Sequence, residues 1–240
     1  MPWTTKQKIF CLLLVVLGIG FGFGCCYSRD NDLGFHPGWI QSPTNAETAF
    51  TSIYNNNSWG LPLKDDGPAF SSGSGAHPEK CSEYIEYVQT VLNRPDIQHV
   101  VEIGCGDLRV TNKLNLDATT SYSCVDVAPQ VIQNGKEQKN TKIEMVQGDA
   151  STMDFESADL LIAKDVFQHW PTESVLQFEK EQLPKFTEAI ITNDYLPTKS
   201  NSRKDIPFGG YSYITLRGNR DVIMDSVCQS RSKQTQHFRN

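Results

Sequence analysis

Five short, largely apolar runs punctuate the middle of the chain, at residues 100–103, 122–127, 143–146, 158–163 and 189–192, and each gives way to polar or glycine residues. Runs of this length, bounded by turn residues, read as strands buried on both faces, the pattern of a parallel sheet. Two amphipathic stretches precede them. Residues 46–54 carry Phe50, Ile53 and Tyr54 at helical spacing behind a cap-like segment at 42–45. Residues 79–92 put Tyr84, Val88, Val91 and Leu92 on one face, and Pro95 stops that helix. Strand and helix then alternate. The pattern predicts an α/β fold with a doubly wound, mostly parallel sheet and helices on both faces. Short runs at 223–228 and 235–238 are predicted to add a terminal antiparallel pair, which brings the sheet to seven strands.

The first 45 residues differ in kind. Residues 9–26 form an uninterrupted run of apolar and glycine residues behind Lys6 and Lys8. A helix of that length spans about 27 Å, close to the thickness of a thin bilayer. No clear small-residue cleavage site follows, so an uncleaved anchor is favoured over a signal peptide whose cleavage would release a secreted protein. The expected layout is a cytoplasmic tail at 1–8, a transmembrane signal anchor at 9–27 and a stem at 28–45. A luminal domain at 46–240 follows, with N-terminal helices at 46–96 and a core at 97–240. Lys6 and Lys8 hold the tail in the cytoplasm, which places the domain in the lumen of the ER or Golgi.

Charge and cysteines narrow the partners. A net charge of −6 and a pI near 5.4 argue against nucleic acid, whose phosphates need a basic face. No C-x-x-C pair occurs, so no metal is expected. Cys81, Cys105, Cys124 and Cys228 lie beyond the anchor and could pair in an oxidising lumen; Cys105 and Cys124 read equally well as buried thiols. Asn56-Asn57-Ser58 is a glycosylation sequon.

The chemistry concentrates at Val100-Val-Glu-Ile-Gly-Cys-Gly-Asp107, a strand running into a glycine turn. Such a turn lets a ligand approach the backbone closely, and a following helix is expected to add its unpaired N–H groups. Arg109 stands where a dinucleotide fingerprint requires glycine, which excludes that cofactor class. Asp126, about 20 residues on at the end of the second strand, is placed to accept hydrogen bonds from ribose hydroxyls.

The form apolar-apolar-Glu-apolar-Gly-x-Gly resembles the first motif of class I S-adenosylmethionine-dependent methyltransferases. The resemblance implies a Rossmann-like methyltransferase sheet and S-adenosyl-L-methionine as cofactor. It further implies that Gly104 and Gly106 cradle the methionine part, Glu102 helps to hold the ammonium end, and Asp149 in Gln147-Gly-Asp149-Ala150 lies near the adenine amino group. Asp165, after the fourth strand, completes the expected cofactor set. Four further pieces are similar to a narrower, membrane-anchored subset of these enzymes. They are Ile53-Tyr54 with Trp59-Gly60, the Ser72-Gly73-x-Gly75 loop, Lys164-Asp165-Val-Phe-Gln-His169-Trp170, and Asp205 to Tyr211 with Leu216. That likeness covers roughly residues 46–240 and implies glycan acceptors of the secretory pathway. Ala76 departs from the serine or threonine expected after the loop, which puts the loop's contact with cofactor or acceptor in question.

A sugar hydroxyl is a poor nucleophile at neutral pH, so a general base is expected. His169 is the candidate, with Asp165 orienting it or serving in its place; on a helical turn the two are i and i+4 and share a face. Asp194 is the third candidate. Tyr54 and Trp59 could stack on a sugar or on adenine, and His77 could reach the site if the glycine loop closes over it. In the bland readings His169 packs beside Trp170 and Asp165 caps a helix. The expected function is O-methylation of a glycan hydroxyl. The alternatives are a small-molecule or lipid-head-group acceptor, and a catalytically inactive binding protein that keeps the fold.

Overall fold

A computed structural model describes residues 46–63, 67–138, 140–195, 204–216, 221–228 and 233–240. The tail, anchor and stem expected at 1–45 lie outside these residues. Among the described residues no helix is long and apolar enough to cross a membrane.

Among the described residues, four helices, α1 (Ala46–Asn55), α2 (Ser82–Leu92), α3 (Pro129–Glu137) and α4 (Thr172–Glu181), accompany seven strands. The strands are β1 (His99–Ile103), β2 (Ser121–Asp126), β3 (Ile143–Gln147), β4 (Ala158–Lys164), β5 (Phe186–Asp194), β6 (Asp221–Cys228) and β7 (Lys233–Arg239). They form one sheet in the order β3-β2-β1-β4-β5-β7-β6. The first five strands run parallel to one another, and β7 runs antiparallel to both β5 and β6. The terminal hairpin expected from the sequence is therefore present, longer than its apolar runs suggest.

Both faces of the sheet are buried. On one, Leu160, Ile162 and Ile190 pack against Val88, Val91 and Leu92 of α2 and Val131 of α3. On the other, Leu161, Ala163, Ala189 and Ile191 meet Val175 and Phe178 of α4, with Phe155 and Phe186 beside them. This two-sided burial is why β4 and β5 read as continuous apolar runs rather than alternations. Each buried valine, leucine, isoleucine and phenylalanine among them contributes about 1.5–3 kcal/mol by leaving water.

Two local expectations are corrected. The helix expected at 79–92 begins at Ser82, because Pro78–Lys80 forms a separate 3-10 turn. No α-helix follows β1. The chain leaves the glycine turn through Leu108, whose φ of 61° breaks a right-handed path, and makes only the 3-10 turn Thr111–Lys113. Beyond it, Asn115 Oδ1 accepts the Asp117 N–H and Thr119 Oγ1 donates to the Leu116 carbonyl. Such side-chain bonds to backbone compete with a helix.

β1 lies between β2 and β4, where the strand order reverses. The two chain directions leaving β1 and β4 open a crevice at their C-terminal ends, the usual ligand site of an open α/β sheet.

Candidate active site

The crevice holds about 310 Å³ of open volume, enough for a ligand of cofactor size. Its floor is the glycine turn. Gly104 and Gly106 have φ of 64° and 59°, a region that L side chains rarely adopt. A Cβ at Gly104 would stand 2.5 Å from Val166 Cγ2, and one at Gly106 would overlap Ser72 Oγ. The turn is bare because the chain folds over it.

Cys105, between the two glycines, is bonded to Cys124 of β2, with Cα atoms 6.0 Å apart. The disulfide ties the turn to the strand that ends on Asp126. This resolves the choice between paired and buried thiols in favour of pairing. Cys81 is a buried thiol that donates to the Gly75 carbonyl at 3.0 Å.

The acids expected to hold the cofactor all line the crevice. Asp126 is buried; its Oδ2 accepts the Gly106 N–H at 3.2 Å and its Oδ1 the Ala128 N–H at 2.9 Å. Burial pushes its carboxyl up to about 6, against the pull of those backbone donors. A carboxylate has about four acceptor positions, so Asp126 keeps capacity for ribose hydroxyls. Glu102 is held by the Tyr122 hydroxyl at 2.8 Å and the Thr111 hydroxyl at 2.9 Å. Burial raises its pKa and these two hydroxyls partly offset the rise. Asp149 shapes its own turn, accepting the Ser151 N–H at 2.9 Å and the Ser151 hydroxyl at 2.6 Å.

The serine-glycine loop covers the crevice, with Ser72, Gly73, Ser74, Gly75 and Ala76 in its lining. Its anchor is a reciprocal pair with the residue after the glycine turn. The Ser72 N–H donates to Asp107 Oδ2 at 3.0 Å, and the Asp107 N–H donates to Ser72 Oγ at 2.8 Å. Tyr54 from α1 reaches the same Ser72 hydroxyl at 3.1 Å. Residue 76 therefore does not carry the loop's attachment. His77, expected to swing in with the loop, is instead 3.4 Å from Glu79 and outside the lining.

At the acceptor end an ionic cluster joins three strands. Lys164 Nζ lies 2.6 Å from the Gly75 carbonyl and 2.7 Å from Asp165 Oδ2. Lys233 Nζ, at the start of β7, is 2.5 Å from Asp165 Oδ1 and 2.5 Å from Asp194 Oδ1. The other Asp194 oxygen accepts the Tyr211 hydroxyl at 2.8 Å. Burial would raise the Asp165 carboxyl, but the two lysines hold it below its ordinary value.

The expected pairing of Asp165 with His169 is corrected. Asp165 has φ of 61° and its N–H extends the sheet, donating to Thr192 O at 2.7 Å. That left-handed residue breaks the helical turn that would have set the two side chains on one face. His169 closes a 3-10 turn, Phe167–His169. Its Nδ1 meets the Gly210 carbonyl at 2.7 Å, and its ring packs 5.3 Å from Trp59 and 6.1 Å from Tyr211. Burial lowers its pKa, outweighing the Gly210 carbonyl and the Asp165 and Asp194 charges. Burial thus disfavours the charged form of the ring, which lines the crevice. Asp165 is paired with Lys164 and Lys233.

Ser72, Asp107, Gln168 and Lys233 also belong to the site, and the motifs did not assign them roles. Lys233 carries no local signal, because only the β5–β7 register, which pairs it with Asp194, brings it in.

Residues 101–182 match a family model described as a methyltransferase domain. Magnesium protoporphyrin IX methyltransferase from Synechocystis PCC 6803, solved with S-adenosylhomocysteine bound, superimposes with a TM-score of 0.58 at 11% identity, over 82% of this chain and 100% of that one. The same enzyme with S-adenosylmethionine bound gives 0.53 at 10% identity, over 82% and 97%. An S-adenosylmethionine-dependent methyltransferase from Clostridium acetobutylicum ATCC 824 gives 0.51 at 11% identity, over 67% and 91%. At these identities the likeness is one of fold. No curated protein matches the chain by sequence. The shared fold is that of class I S-adenosylmethionine-dependent methyltransferases, and the methyltransferase-domain match falls on its first four strands. S-adenosylmethionine is the cofactor the crevice fits: a bare glycine turn, a buried acceptor at Asp126, and Asp149 in the lining.

Proposed function

We propose that the protein transfers a methyl group from S-adenosylmethionine to a hydroxyl of a neutral glycan. The observation that carries this reading is His169, an imidazole in the crevice wall whose Nδ1 is held by the Gly210 carbonyl at 2.7 Å. Bound in the crevice, the cofactor supplies an electrophilic methyl on a sulfonium. The chain supplies the rest. Asp126 accepts ribose hydroxyls, the 72–76 loop excludes water, and His169 takes the proton of the acceptor hydroxyl.

The mouth favours a sugar. Trp59 and Tyr211 offer aromatic faces against which the C–H face of a sugar ring can pack. Asp165 and Asp194 are each neutralised by lysine, so an uncharged acceptor meets no unpaired charge. A luminal location draws support from the Cys105–Cys124 disulfide, since such bonds persist in oxidising compartments. The Asn56 side chain is exposed just beyond α1, where a glycan can be attached. The apolar run at 9–26 serves in this reading as the membrane anchor.

The test is incubation of the full chain, in detergent, with methyl-labelled S-adenosylmethionine and a panel of neutral oligosaccharides. The expected product is a base-stable methyl ether, formed about 10²–10⁴-fold more slowly by His169→Gln. Label in a base-labile ester or on nitrogen contradicts the hydroxyl assignment. A mass shift removed by endoglycosidase and absent in Asn56→Gln checks the topology.

A further inference from the structure

Both ring nitrogens of His169 have neighbours, and the neighbours leave one consistent placement of hydrogens. A carbonyl oxygen only accepts, so the 2.7 Å contact with Gly210 O puts the proton on Nδ1 and the lone pair on Nε2. Nε2 lies 3.3 Å from Gln168 Nε2. The Gln168 amide is oriented from its other end, where Oε1 accepts the Asp194 N–H at 2.6 Å. Its NH₂ group therefore faces His169 and donates to the lone pair. Gln168 is 4% exposed. Its backbone is tied as well: the N–H donates to Asn193 Oδ1 at 3.3 Å, and the carbonyl accepts the Ser212 N–H at 2.9 Å.

We infer that Gln168 is the positioning residue of the His169 base, holding the imidazole as the Nδ1–H tautomer with its Nε2 lone pair kept for the acceptor hydroxyl. This rests on the base role proposed for His169. In the resting site a proton on Nε2 would face an N–H donor, which disfavours imidazolium there. An entering hydroxyl takes the amide's place, donates to Nε2, and passes its proton to that nitrogen as its oxygen gains the methyl group. The charged groups around the ring pull in both directions. Asp165 after β4 and Asp194 at the end of β5 favour a charged ring, and Lys233 on β7 opposes it. Tyr211, 6.1 Å away, has its hydroxyl bonded to Asp194. Against that divided field, the Gly210 carbonyl keeps one proton on Nδ1 and the amide disfavours a second on Nε2.

The experiment is a pH titration of the full chain in detergent with ¹⁵N-labelled histidine, the His169 signals being identified by their loss in His169→Gln. Wild type, Gln168→Glu and Gln168→Met are compared, with kcat and KM followed over the same pH range. Gln168→Glu keeps an oxygen for the Asp194 N–H and places another opposite Nε2. It is expected to raise the His169 midpoint by about 1–2 pH units and to move the acid limb of kcat with it, while the KM for the cofactor stays unchanged. Gln168→Met removes the donor facing Nε2 and is expected to raise the midpoint by less than Gln168→Glu, while the Gly210 carbonyl keeps the proton on Nδ1. An Nε2–H tautomer in wild type overturns the inference even if neither variant folds. So do equal midpoints in wild type and Gln168→Glu. If His169 titrates as expected while no hydroxyl acceptor is methylated, the proposed function fails and the positioning role stands.

Discussion

Lys233→Met keeps the length of the side chain and removes one charge from the acceptor end. The native ammonium stands 2.5 Å from both Asp165 and Asp194, and the three side chains are 12%, 20% and 18% exposed. Breaking a buried ion pair costs about 3–5 kcal/mol, and breaking an exposed one about 0–1 kcal/mol. These groups lie nearer the buried end, while Asp165 keeps Lys164 and Asp194 keeps Tyr211. The expected loss is therefore about 3 kcal/mol, or roughly 6–12 °C in Tm for a domain of this size. The pH dependence follows from Asp165. Its folded pKa is lowered, because the lysines outweigh burial. A carboxyl shifted down contributes stability above its unfolded value and loses it as pH falls through the folded one. The gap between wild type and variant should thus be full at about pH 7 and narrow steadily below about pH 4. Urea unfolding of both proteins at about pH 7 and pH 3 measures it. A gap under about 1 kcal/mol at neutral pH, or one equally large in acid, refutes the reasoning. Adding Asp194→Asn should recover part of the loss by removing an orphaned charge.

Three further outcomes follow from the cofactor end. Replacing Cys105 and Cys124 by alanine should cost about 3 kcal/mol for a loop of this length; unchanged thermal stability, or both thiols reacting with maleimide without reduction, would contradict the pairing. Gly106→Ala places a Cβ against Ser72 Oγ at a φ of 59°. It should destabilise the protein by about 1–2 kcal/mol and weaken cofactor binding by loosening the Ser72–Asp107 pair, read by calorimetry. Because burial holds Asp126 at about 6, its carboxylate is ready above that pH to accept ribose hydroxyls. Affinity for the cofactor should fall as pH drops through about 6 and lose that dependence in Asp126→Asn.

Much of the fold was legible because the central strands are buried on both faces. β4 and β5 could hardly be anything else, and the polar residues that end β1, β2 and β4 fell into register at one edge. That Glu102, Asp126, Asp149 and Asp165 line one crevice was legible for the same reason, since each lies at or near the C-terminal end of a strand. What escaped was set by nonlocal geometry or by single backbone angles. Leu108 at φ of 61° replaces the helix expected after the glycine turn, and Asp165 at φ of 61° breaks the helical turn expected to run on to His169. No side-chain pattern announces a left-handed leucine or aspartate. Lys233 enters through the β5–β7 register, and Gln168 gains its role only because Gly210 and Asp194 approach from two other segments. The Ser72–Asp107 pair joins two motifs that were each visible, but whose contact was not.

The central claim is that the crevice around Gly104, Gly106 and Asp126 binds S-adenosylmethionine. Isothermal titration of the purified full chain with S-adenosylmethionine and S-adenosylhomocysteine tests it most directly. One saturable site is predicted for each ligand, weakened about 10- to 100-fold in Asp126→Ala, the loss of one or two hydrogen bonds to a charged group. No heat at millimolar ligand, or binding that Asp126→Ala leaves untouched, would contradict the account.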